Sequence, residues 1–383
     1  MRLAMVAGEA SGDLLAALMI QGLKKRWPEL SSAGIGGPRM VEQGFEAWAP
    51  SDRLSVFGYV DALKRLPELL WLRHQIRGRI LRERPAAFVG VDAPDFNFGL
   101  ETRLRSSGIR TVHFVCPSIW AWRSHRVHKL KLAADHVLCL FPFEPALLAA
   151  HGIAATYVGH PLADAIAPDV DRPAARQALV TCGLNPEAGH RGGLVALLPG
   201  SRQAEIRHIA PLLVESAQNM LLQRPGLHIV LPVAAGLQRL VEPIVRPMLE
   251  AGHLTVVAGH SHEVLAAADV AVVASGTATL EAALLKCPMV IVYRLADADW
   301  ARMRRQRLQP WVGLPNILSQ AFIVPERLQD EATPTGVAAD ALRWLDDVAG
   351  VERYRSRCQD LHTQLRQNTG QRAADALQEI IHG

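Results

Sequence analysis

The sequence predicts an α/β protein built from two doubly wound domains. Its 383 residues correspond to two or three domains at about 150 residues each. Hydrophobic residues make up 49% of the chain, which is enough for two cores and argues against intrinsic disorder. Short apolar runs alternate with amphipathic helical patterns along the chain, and this series occurs twice.

The apolar runs predict strands that are buried on both faces. They lack the polar alternation of a half-exposed strand, and glycine, proline or a polar residue bounds each of them. The first series comprises residues 3–6, 87–91, 111–115, 137–140 and 155–158, and the second comprises residues 194–198, 227–231, 254–257, 270–274 and 289–293. Because amphipathic stretches follow most runs, each series predicts a parallel sheet covered by helices.

A segment rich in Pro, Asp and Ala, residues 164–184, separates the two series. We therefore expect an N-terminal domain at residues 1–165 and a second domain at residues 166–345. The remaining residues, 346–383, are predicted to form a helical segment that packs back across the domains.

Charge and cysteine usage exclude some classes of protein. Lys and Arg number 41 against 37 Asp and Glu, and this net charge of +4 is too small to indicate a nucleic-acid partner. The five cysteines form no CxxC pair, which suits free thiols in a reducing compartment. The N-terminus lacks the apolar region of a signal peptide, and no run of about 18 apolar residues predicts a spanning helix. We expect a cytoplasmic protein.

The loop after the first strand, residues 8–13, is a candidate active-site floor that contains Glu9 and Ser11. Gly8 and Gly12 permit close backbone approach, and a helix N-terminus can hold an anion. The alternative is a structural turn in which Asp13 caps a helix. The loop is not GxGxxG, and no acidic residue suited to a ribose follows the next strand region, which disfavours a dinucleotide site.

Two carboxylates follow the run at residues 87–91. We expect Asp92 to cap the next helix and Asp95, beyond Pro94 in a short loop, to act as a general base. The alternative for Asp95 is a second cap or a solvated loop residue. His113 and His125 are further candidate proton acceptors at strand ends.

The loop after residues 111–115 carries Trp120, Trp122, Arg123 and His125. Tryptophan beside Arg and His offers a surface for a sugar ring and a phosphate. A tryptophan-rich core corner with a solvated basic helix is the alternative. RNA binding by stacking is a weaker one, since the rest of the chain has no basic stripe.

Two loops in the second series suit a nucleotide diphosphate, because small and hydroxyl-bearing residues open a helix in each. Backbone N–H groups, a hydroxyl and an arginine at a helix N-terminus are suited to phosphate, and a carboxylate one turn into the second helix can accept from both hydroxyls of a ribose. The residues are Gly200, Ser201 and Arg202 in the first loop, and Ser275, Gly276, Thr277 and Glu281 in the second.

Signals for a Walker loop and for a metal site are missing. The GxxxxGK[ST] pattern is absent, which disfavours ATP hydrolysis. There is no HExxH, and the DxD spacing at residues 297–299 does not follow a strand directly. We therefore expect no metal and no cofactor, with helix dipoles and arginine handling the phosphate charge.

A basic amphipathic stretch, residues 56–81, predicts a helix that lies in a lipid interface. Pro67 is expected to kink or divide it. A second basic stretch, residues 300–307, with flanking tryptophans, could meet anionic headgroups. Ordinary amphipathic helices with solvated charges are the alternative for both. The residues predicted to meet the membrane are Leu63, Leu66, Leu69, Leu70 and Trp71.

In combination, eight motifs make the chain resemble the lipid-A-disaccharide synthase family of bacterial glycosyltransferases. Their order and spacing make coincidence very unlikely, and they cover nearly the whole chain. They are GEASGD at residue 8, VDAPDFN at 91, CPSIWAWR at 116, FPFE at 141, VGHPL at 158, LPGSR at 198, SGTATLEA at 275 and LPNIL at 314. The family usually has Ser in place of Cys116, a small change, and residues 319–322 also depart from its pattern.

The resemblance implies two Rossmann-like domains of the glycosyltransferase-B fold that face a central cleft. It implies that UDP-2,3-diacylglucosamine and 2,3-diacylglucosamine 1-phosphate give lipid A disaccharide 1-phosphate and UDP, with inversion and without metal. It also implies peripheral association with the cytoplasmic face of the inner membrane; a homodimer is an open alternative to a monomer. No nucleic-acid partner is expected.

The resemblance also implies roles for site residues. Asp95 matches the family's functional carboxylate, and Asn316 of LPNIL joins the UDP-binding loops of residues 166–345. The first domain would bind the acceptor and the membrane. The candidate acceptor residues are Glu9, Ser11, Asp13, Trp120, Arg123 and His125.

Three other classes are weaker interpretations. A UDP-N-acetylglucosamine 2-epimerase of the same fold would not need the tryptophan loop or the amphipathic helix. A dehydrogenase would need the missing ribose acid. A membrane scaffold without catalysis would not need phosphate loops.

Overall fold

The computed structural model describes residues 1–54, 59–122 and 124–382, apart from the side chains of residues 59–64, 298, 299 and 302. The predicted site residue Arg123 and the side chain of Leu63 lie outside the described residues. The chain divides into two compact units. Unit 1 comprises Met1–Ala165 and Gln364–Gly383, and unit 2 comprises Ile166–Thr363.

Unit 1 is built on a parallel sheet. Its strands are β1 (Arg2–Ala7), β2 (Ser31–Gly36), β3 (Glu46–Pro50), β4 (Ala87–Val91), β5 (Thr111–Phe114), β6 (His136–Cys139) and β7 (Ala155–Tyr157). Its helices, in chain order, are α1 (Ala10–Arg26), α2 (Pro38–Glu42), α3 (Tyr59–Glu83), α4 (Pro94–Arg105), α5 (Arg126–Ala133), α6 (Glu144–Ala149) and α7 (Pro161–Ala165), with a 3₁₀ turn at Ser51–Leu54. In the described part of the unit the strand order is β3-β2-β1-β4-β5-β6-β7.

Unit 2 repeats this architecture. Its strands are β8 (Leu194–Leu198), β9 (His228–Val233), β10 (Leu254–Ala258), β11 (Val270–Ala274), β12 (Met289–Tyr293) and β13 (Glu326–Leu328). Its helices are α8 (Arg172–Thr181), α9 (Gln203–Gln223), α10 (Gln238–Glu250), α11 (Ser261–Ala267), α12 (Thr277–Leu284), α13 (Asp297–Gln306), α14 (Leu314–Ser319) and α15 (Pro334–Asp346), with a 3₁₀ turn at Gln329–Glu331. The described strands lie in the order β10-β9-β8-β11-β12-β13.

Central strands such as β1 and β8 are apolar throughout because both of their faces are covered. Leu3 and Met5 of β1 pack into one hydrophobic cluster, and Ala4 and Val6 pack into another on the opposite face. Strand β8 likewise divides its side chains between two clusters. All ten predicted runs are strands. The sequence runs did not include β2, which is buried but rich in serine and glycine, or the edge strands β3 and β13, which are only partly buried.

Helix α3 continues through Pro67 and is not divided there. This differs from the predicted break, although proline removes one hydrogen bond of a helix interior. No helix among the described residues has the combination of length and hydropathy that crossing a bilayer requires.

The predicted C-terminal segment, residues 346–383, divides between the two units. Helix α16 (Val348–Leu365) belongs to unit 2 as far as Thr363, whereas helix α17 (Thr369–His382) belongs to unit 1. There α17 packs on α1 at a close crossing, because a Cβ added to Gly22 would lie 2.7 Å from the carbonyl oxygen of Gly370. Small residues at this crossing let the two helices approach.

Candidate functional site

Each sheet has one point at which its strand order reverses. In unit 1 this point lies between β1 and β4, and in unit 2 it lies between β8 and β11. Ligands of doubly wound sheets bind beyond the carboxyl ends of the strands at this point. The predicted loops after these four strands therefore form two candidate sites, one in each unit.

In unit 2, the loop after β8 leads directly into α9. Gly200 has φ +104°, a left-handed conformation that favours glycine. The Glu205 carboxylate accepts hydrogen bonds from the backbone N–H groups of Ser201, at 3.0 Å, and Arg202, at 3.2 Å. Arg202 is the N-cap residue, and its side chain is 76% exposed. The N–H groups that we predicted for a phosphate thus hold an anion of the chain itself.

The loop after β11 lies beside it, because Val273 pairs with Leu198 in the sheet. Gly276 is the N-cap residue of α12 and Thr277 is its first residue. The Ser275 hydroxyl donates to the carbonyl of Val312, at 3.2 Å, which ties this loop to the segment before α14. The structure therefore brings the two predicted phosphate loops to neighbouring strands.

Glu281 lies on α12 and has a partner that sequence reasoning missed. His262 of α11 places its Nε2 3.6 Å from a carboxylate oxygen of Glu281. Hydrogen bonding to Glu281 raises the pKa of His262 above its ordinary value. Half-exposed histidine beside a carboxylate is a common pattern, and no spacing in the sequence connects residues 262 and 281.

The Asn316 side chain forms hydrogen bonds within its own segment of the chain. It is fully buried, its Nδ2 donates to the carbonyl of Val324 and to Glu326, and its Oδ1 accepts from the N–H groups of Ile323 and Val324. Glu326 in turn accepts from the backbone N–H groups before α14, and burial raises the pKa of its carboxyl. The Asn316 side chain thus has internal partners for its amide, and its contact with the donor stays a prediction.

In unit 1, the loop between β1 and α1 touches the loop after β4. A Cβ added to Gly8 would lie 3.0 Å from the Cβ of Ala93, which explains the glycine. Glu9, the N-cap residue of α1, and Ser11 are exposed. These two predicted acceptor residues are accessible at the carboxyl edge of the sheet.

Asp13 caps a helix, as one of its two interpretations predicted, although that helix is not the one that contains it. Its carboxylate is buried, and it accepts from the backbone N–H groups of Gly37 at 2.8 Å, Arg39 at 2.9 Å and Met40 at 3.1 Å. It therefore caps α2, which follows the next strand, and not its own helix. Three backbone donors on the carboxylate give Asp13 a structural role, and its contact with the acceptor stays a prediction.

The carboxylates after β4 are arranged differently from the prediction. Asp92 does not cap α4: the N-cap residue is Ala93, and no side chain caps the helix. Asp95 lies in the first turn of α4, not in a loop; its side chain is 87% exposed, and it pairs with Arg126 at 2.8 Å. The local pattern Asp-Ala-Pro-Asp permits either carboxylate to cap, so that sequence alone could not separate them.

Asp92 and Ala93 both have positive φ, +51° and +45°. Non-glycine residues rarely adopt this conformation, and strained backbone of this kind concentrates at functional sites. The Asp92 side chain is half-buried, and in the described part of the chain its carboxylate has no hydrogen bond or ion pair. Val115, after β5, is also strained, with φ +85°.

Trp120 belongs to an aromatic cluster. Its ring packs edge-on against Phe141 and Phe143, and its Nε1–H donates to Glu144 at 3.0 Å. Burial raises the pKa of the Glu144 carboxyl to about 7. The FPFE motif thus fixes one face of Trp120, while His125 is exposed at the start of α5.

Helix α3 presents apolar residues on its outer side. Leu66 and Leu70 are each 49% exposed and Trp71 is 53% exposed. Leu69 is half-buried, whereas Ile76 belongs to the core of unit 1 and not to the exposed side. Three large neighbouring apolar side chains on one surface exceed the scattered exposure of ordinary helices.

No cluster of three or more His, Cys, Asp or Glu side chains suited to a metal ion occurs among residues 1–54, 59–122 and 124–382, as far as their side chains are described. Each of the five cysteines is a free thiol.

Related sequences cover the whole chain. The family model described as lipid-A-disaccharide synthetase matches residues 3–380. A lipid-A-disaccharide synthase of Verminephrobacter eiseniae is 54% identical over 392 residues, covering 100% of this chain and 97% of that protein. Another, from Thiobacillus denitrificans, is 51% identical and covers 97% of this chain and 98% of that protein.

Solved structures with this fold are far more distant in sequence. The UDP-GlcNAc 2-epimerase from Neisseria meningitidis, bound to UDP-GlcNAc, has a TM-score of 0.63 at 10% identity and covers 99% of this chain and 100% of its own. A glycosyltransferase from Rickettsia africae also has a TM-score of 0.63, at 9% identity, and covers 100% of this chain and 98% of its own. These likenesses confirm the predicted glycosyltransferase-B fold of two Rossmann-like domains.

The full-length sequence matches decide between the relatives that share this fold. Two synthases are about half identical to this chain along nearly their whole length, whereas the epimerase shares its fold alone. The chain belongs to the lipid-A-disaccharide synthase family and is a glycosyltransferase, of the hexosyltransferase class.

Proposed function

We propose that the protein transfers a 2,3-diacylglucosamine unit from its UDP derivative to 2,3-diacylglucosamine 1-phosphate. The products are lipid A disaccharide 1-phosphate and UDP. Family membership supports the reaction. The observation that carries the donor assignment is the pair of phosphate-type loops on the neighbouring strands β8 and β11, at the reversal point of unit 2.

The donor diphosphate binds at the N-termini of α9 and α12. Backbone N–H groups at residues 201 and 202, the hydroxyls of Ser275 and Thr277, and the Arg202 guanidinium supply donors for phosphate oxygens. Glu281, one turn into α12, accepts from the ribose hydroxyls. Arg202 and the two helix dipoles carry the compensating positive charge, so that the transfer proceeds without metal.

Transfer inverts the anomeric carbon in a single displacement. The acceptor hydroxyl attacks this carbon, the bond between carbon and the diphosphate oxygen breaks, and UDP leaves with the electron pair. The hydroxyl proton passes to a carboxylate of unit 1. Asp95 was the predicted base, but its pairing with Arg126 and its position in a helix favour Asp92, whose carboxylate is unpartnered among the described residues.

The base is tested with Asp92→Asn and Asp95→Asn, which keep the shape of each side chain. Asp92→Asn should lower turnover by roughly 10²–10⁴-fold with unchanged UDP affinity, whereas Asp95→Asn should lower it far less. Release of UDP is measured with and without the acylated acceptor. If Asp95→Asn is the inactive variant, Asp95 is the base and Asp92 is not.

The acceptor dependence of the same assay tests the reaction class. A glycosyltransferase releases UDP from the diacyl donor only when the acylated acceptor is present. An epimerase would instead interconvert the sugar of its UDP derivative without an acceptor. Activity that persists in EDTA would support transfer without metal, and activity that EDTA abolishes and Mg²⁺ restores would contradict it.

Helix α3 attaches the protein to the cytoplasmic face of the inner membrane, where both acylated substrates lie. The exposed Leu66, Leu70 and Trp71 enter the interface, with the half-buried Leu69 beside them, and nearby basic side chains meet anionic headgroups. Acceptor recognition involves Glu9, Ser11, Trp120 and His125 of unit 1, together with Arg123.

A further inference from the structure

A buried polar cluster lies behind the strained end of β4. His113 of β5 places its Nδ1 2.8 Å from Oε1 of Glu101 on α4, and both side chains are completely buried. Asn97, one turn before Glu101 on the same helix, is also completely buried. Burial raises the pKa of the Glu101 carboxyl, and the neighbouring His113 offsets part of this rise.

The cluster contacts the backbone of Asp92 directly. The Asn97 Nδ2–H donates to the Asp92 carbonyl at 2.8 Å, the shortest of its hydrogen bonds to the chain around the strand end. Asp92 and Ala93 are the two residues with left-handed φ at this position. Such a conformation is unfavourable for residues other than glycine and persists only where its surroundings hold it.

Gly90 of β4 makes room for this arrangement. A Cβ at this position would lie 2.1 Å from Oε1 of Glu101 and 3.0 Å from Cγ of Asn97. Glycine weakens a strand interior, and it often marks a place where another group must approach the backbone closely. Here that group is the Glu101 carboxylate, which passes close to Gly90 to reach its hydrogen-bond partner His113.

Burial of this polar cluster is unfavourable for the stability of the core. Oε2 of Glu101, Nε2 of His113 and Oδ1 of Asn97 are all buried without a hydrogen-bond partner in the described part of the structure. Apolar side chains of similar volume would stabilise the same space better. A cost of this kind is expected where a polar arrangement serves the geometry of a site.

We propose that Asn97, Glu101 and His113 are positioning residues that hold Asp92 in its strained backbone conformation. From this conformation Asp92 takes the proton of the acceptor hydroxyl. Asn97 holds the Asp92 carbonyl. Glu101, fixed by His113 and admitted by Gly90, packs beside Asn97 and restricts its side chain. This inference rests on the proposed role of Asp92. None of the three residues touches substrate.

The test is a double-mutant cycle between Asn97→Ser and Asp92→Asn. Asn97→Ser should lower kcat by roughly 10²-fold, as expected for a displaced catalytic group, with UDP affinity unchanged. In the Asp92→Asn background the same substitution should cause almost no further loss, because there is no base left to misplace. Glu101→Gln and Gly90→Ala provide independent disturbances of the cluster if Asn97→Ser does not fold.

Leu104→Ala is the matched control, since Leu104 is a completely buried residue of α4 outside the cluster. It should lower Tm without a specific loss of kcat. Losses that multiply in the Asp92→Asn background, or a cluster variant that loses Tm while keeping its kcat, would overturn the proposal. Full activity of Asp92→Asn alone would instead refute the assigned base, a separate result from failure of the cycle.

Discussion

Glu205 occupies the N–H groups at the start of α9 that the donor phosphate is proposed to use. Binding of UDP therefore requires its carboxylate to move away. Glu205→Gln removes the competing negative charge but keeps an oxygen that can accept from the same N–H groups. We expect the variant to bind UDP several-fold more tightly, as measured by calorimetry.

Arg202→Ala should have the opposite effect and weaken UDP binding, since it removes a charge-assisted contact worth about 1.5–3 kcal/mol. If Glu205→Gln weakened UDP binding, Glu205 would be shaping the loop for the phosphate and not competing with it. Unchanged affinity in Arg202→Ala would count against the donor assignment in unit 2.

Glu144 predicts a particular dependence of stability on pH. Burial raises the pKa of its carboxyl from the ordinary 4.5 to about 7, so the folded chain holds this proton more tightly than the unfolded chain does. The contribution to stability is complete below the unfolded pKa and is lost as pH rises through the folded pKa. The free energy of unfolding should therefore decrease less between about pH 5 and about pH 8 in Glu144→Gln than in the wild-type protein.

Denaturant titrations at the two pH values measure this difference, and other titrating groups cancel in the comparison. Equal decreases in the two proteins would show that Glu144 is already ionised in the folded state at low pH, despite its burial.

Individual side-chain roles were the hardest to predict from the sequence. Asp13 and Asn316 lie in motifs that suggest ligand binding. Yet Asp13 accepts from backbone groups of α2, and Asn316 bonds to residues 323–326, a few residues beyond it. Only the folded chain brings those groups within reach. The same limit applies to Asp92, because left-handed φ at a non-glycine residue leaves no mark in composition or periodicity.

At the scale of elements, α3 separates an exposed apolar side from a core-facing side within one turn. Leu70 is 49% exposed and Leu72 is 2% exposed. Serine in place of Leu66, Leu69 and Leu70 should move the protein from the membrane fraction to the supernatant while Tm changes little. Leu72→Ser is the control, and it should lower Tm because it places an unpaired hydroxyl in the core.

Vesicle sedimentation and thermal unfolding measure the two effects. A large loss of Tm in the triple variant would show that its leucines belong to the core, and α3 would then be an ordinary amphipathic helix.

Strands were more predictable than helix ends. A strand covered on both faces is usually apolar throughout, so most central strands are visible as runs. The serine- and glycine-rich β2 and the edge strands β3 and β13 are not. Helix starts depend on one or two polar side chains whose partners can be remote. For this reason the expected cap at Asp92 was wrong, although α4 itself begins beside the expected position.

For the whole molecule, separate hydrophobic clusters in the two units predict separate unfolding transitions. UDP should raise the midpoint of the unit 2 transition alone, by mass action on the folded site. Gly370→Ala should lower the other transition, because its Cβ would lie 2.7 Å from the carbonyl oxygen of Leu18.

Calorimetry with and without UDP resolves these effects. Gly78→Ala, in α3, is the control, since its Cβ would have no atom closer than 4.0 Å. If UDP raised the transition that Gly370→Ala lowers, the nucleotide would bind unit 1 and the donor assignment would be wrong.

The overall architecture was predictable because it depends on many residues at once. Ten buried runs in two series imply two sheets whatever any single residue does, and the reversal points follow from doubly wound topology. The path of the last helix was not predictable in this way. The close packing of α17 on α1 depends on small residues such as Gly22 and Gly370. The sequence does not indicate which residues such glycines pack against.

That path has a consequence for synthesis on the ribosome. Ala373, Ala374 and Leu377 of α17 belong to the same hydrophobic cluster as Leu3 and Met5 of the first strand. The N-terminal unit is translated first, yet its core is completed only after the final residues emerge. Unit 2, whose residues are continuous in the chain, can fold earlier. A nascent chain that stops short of α17 would therefore hold a finished second unit beside an incomplete first one, which is the stage at which chaperone binding would be most useful.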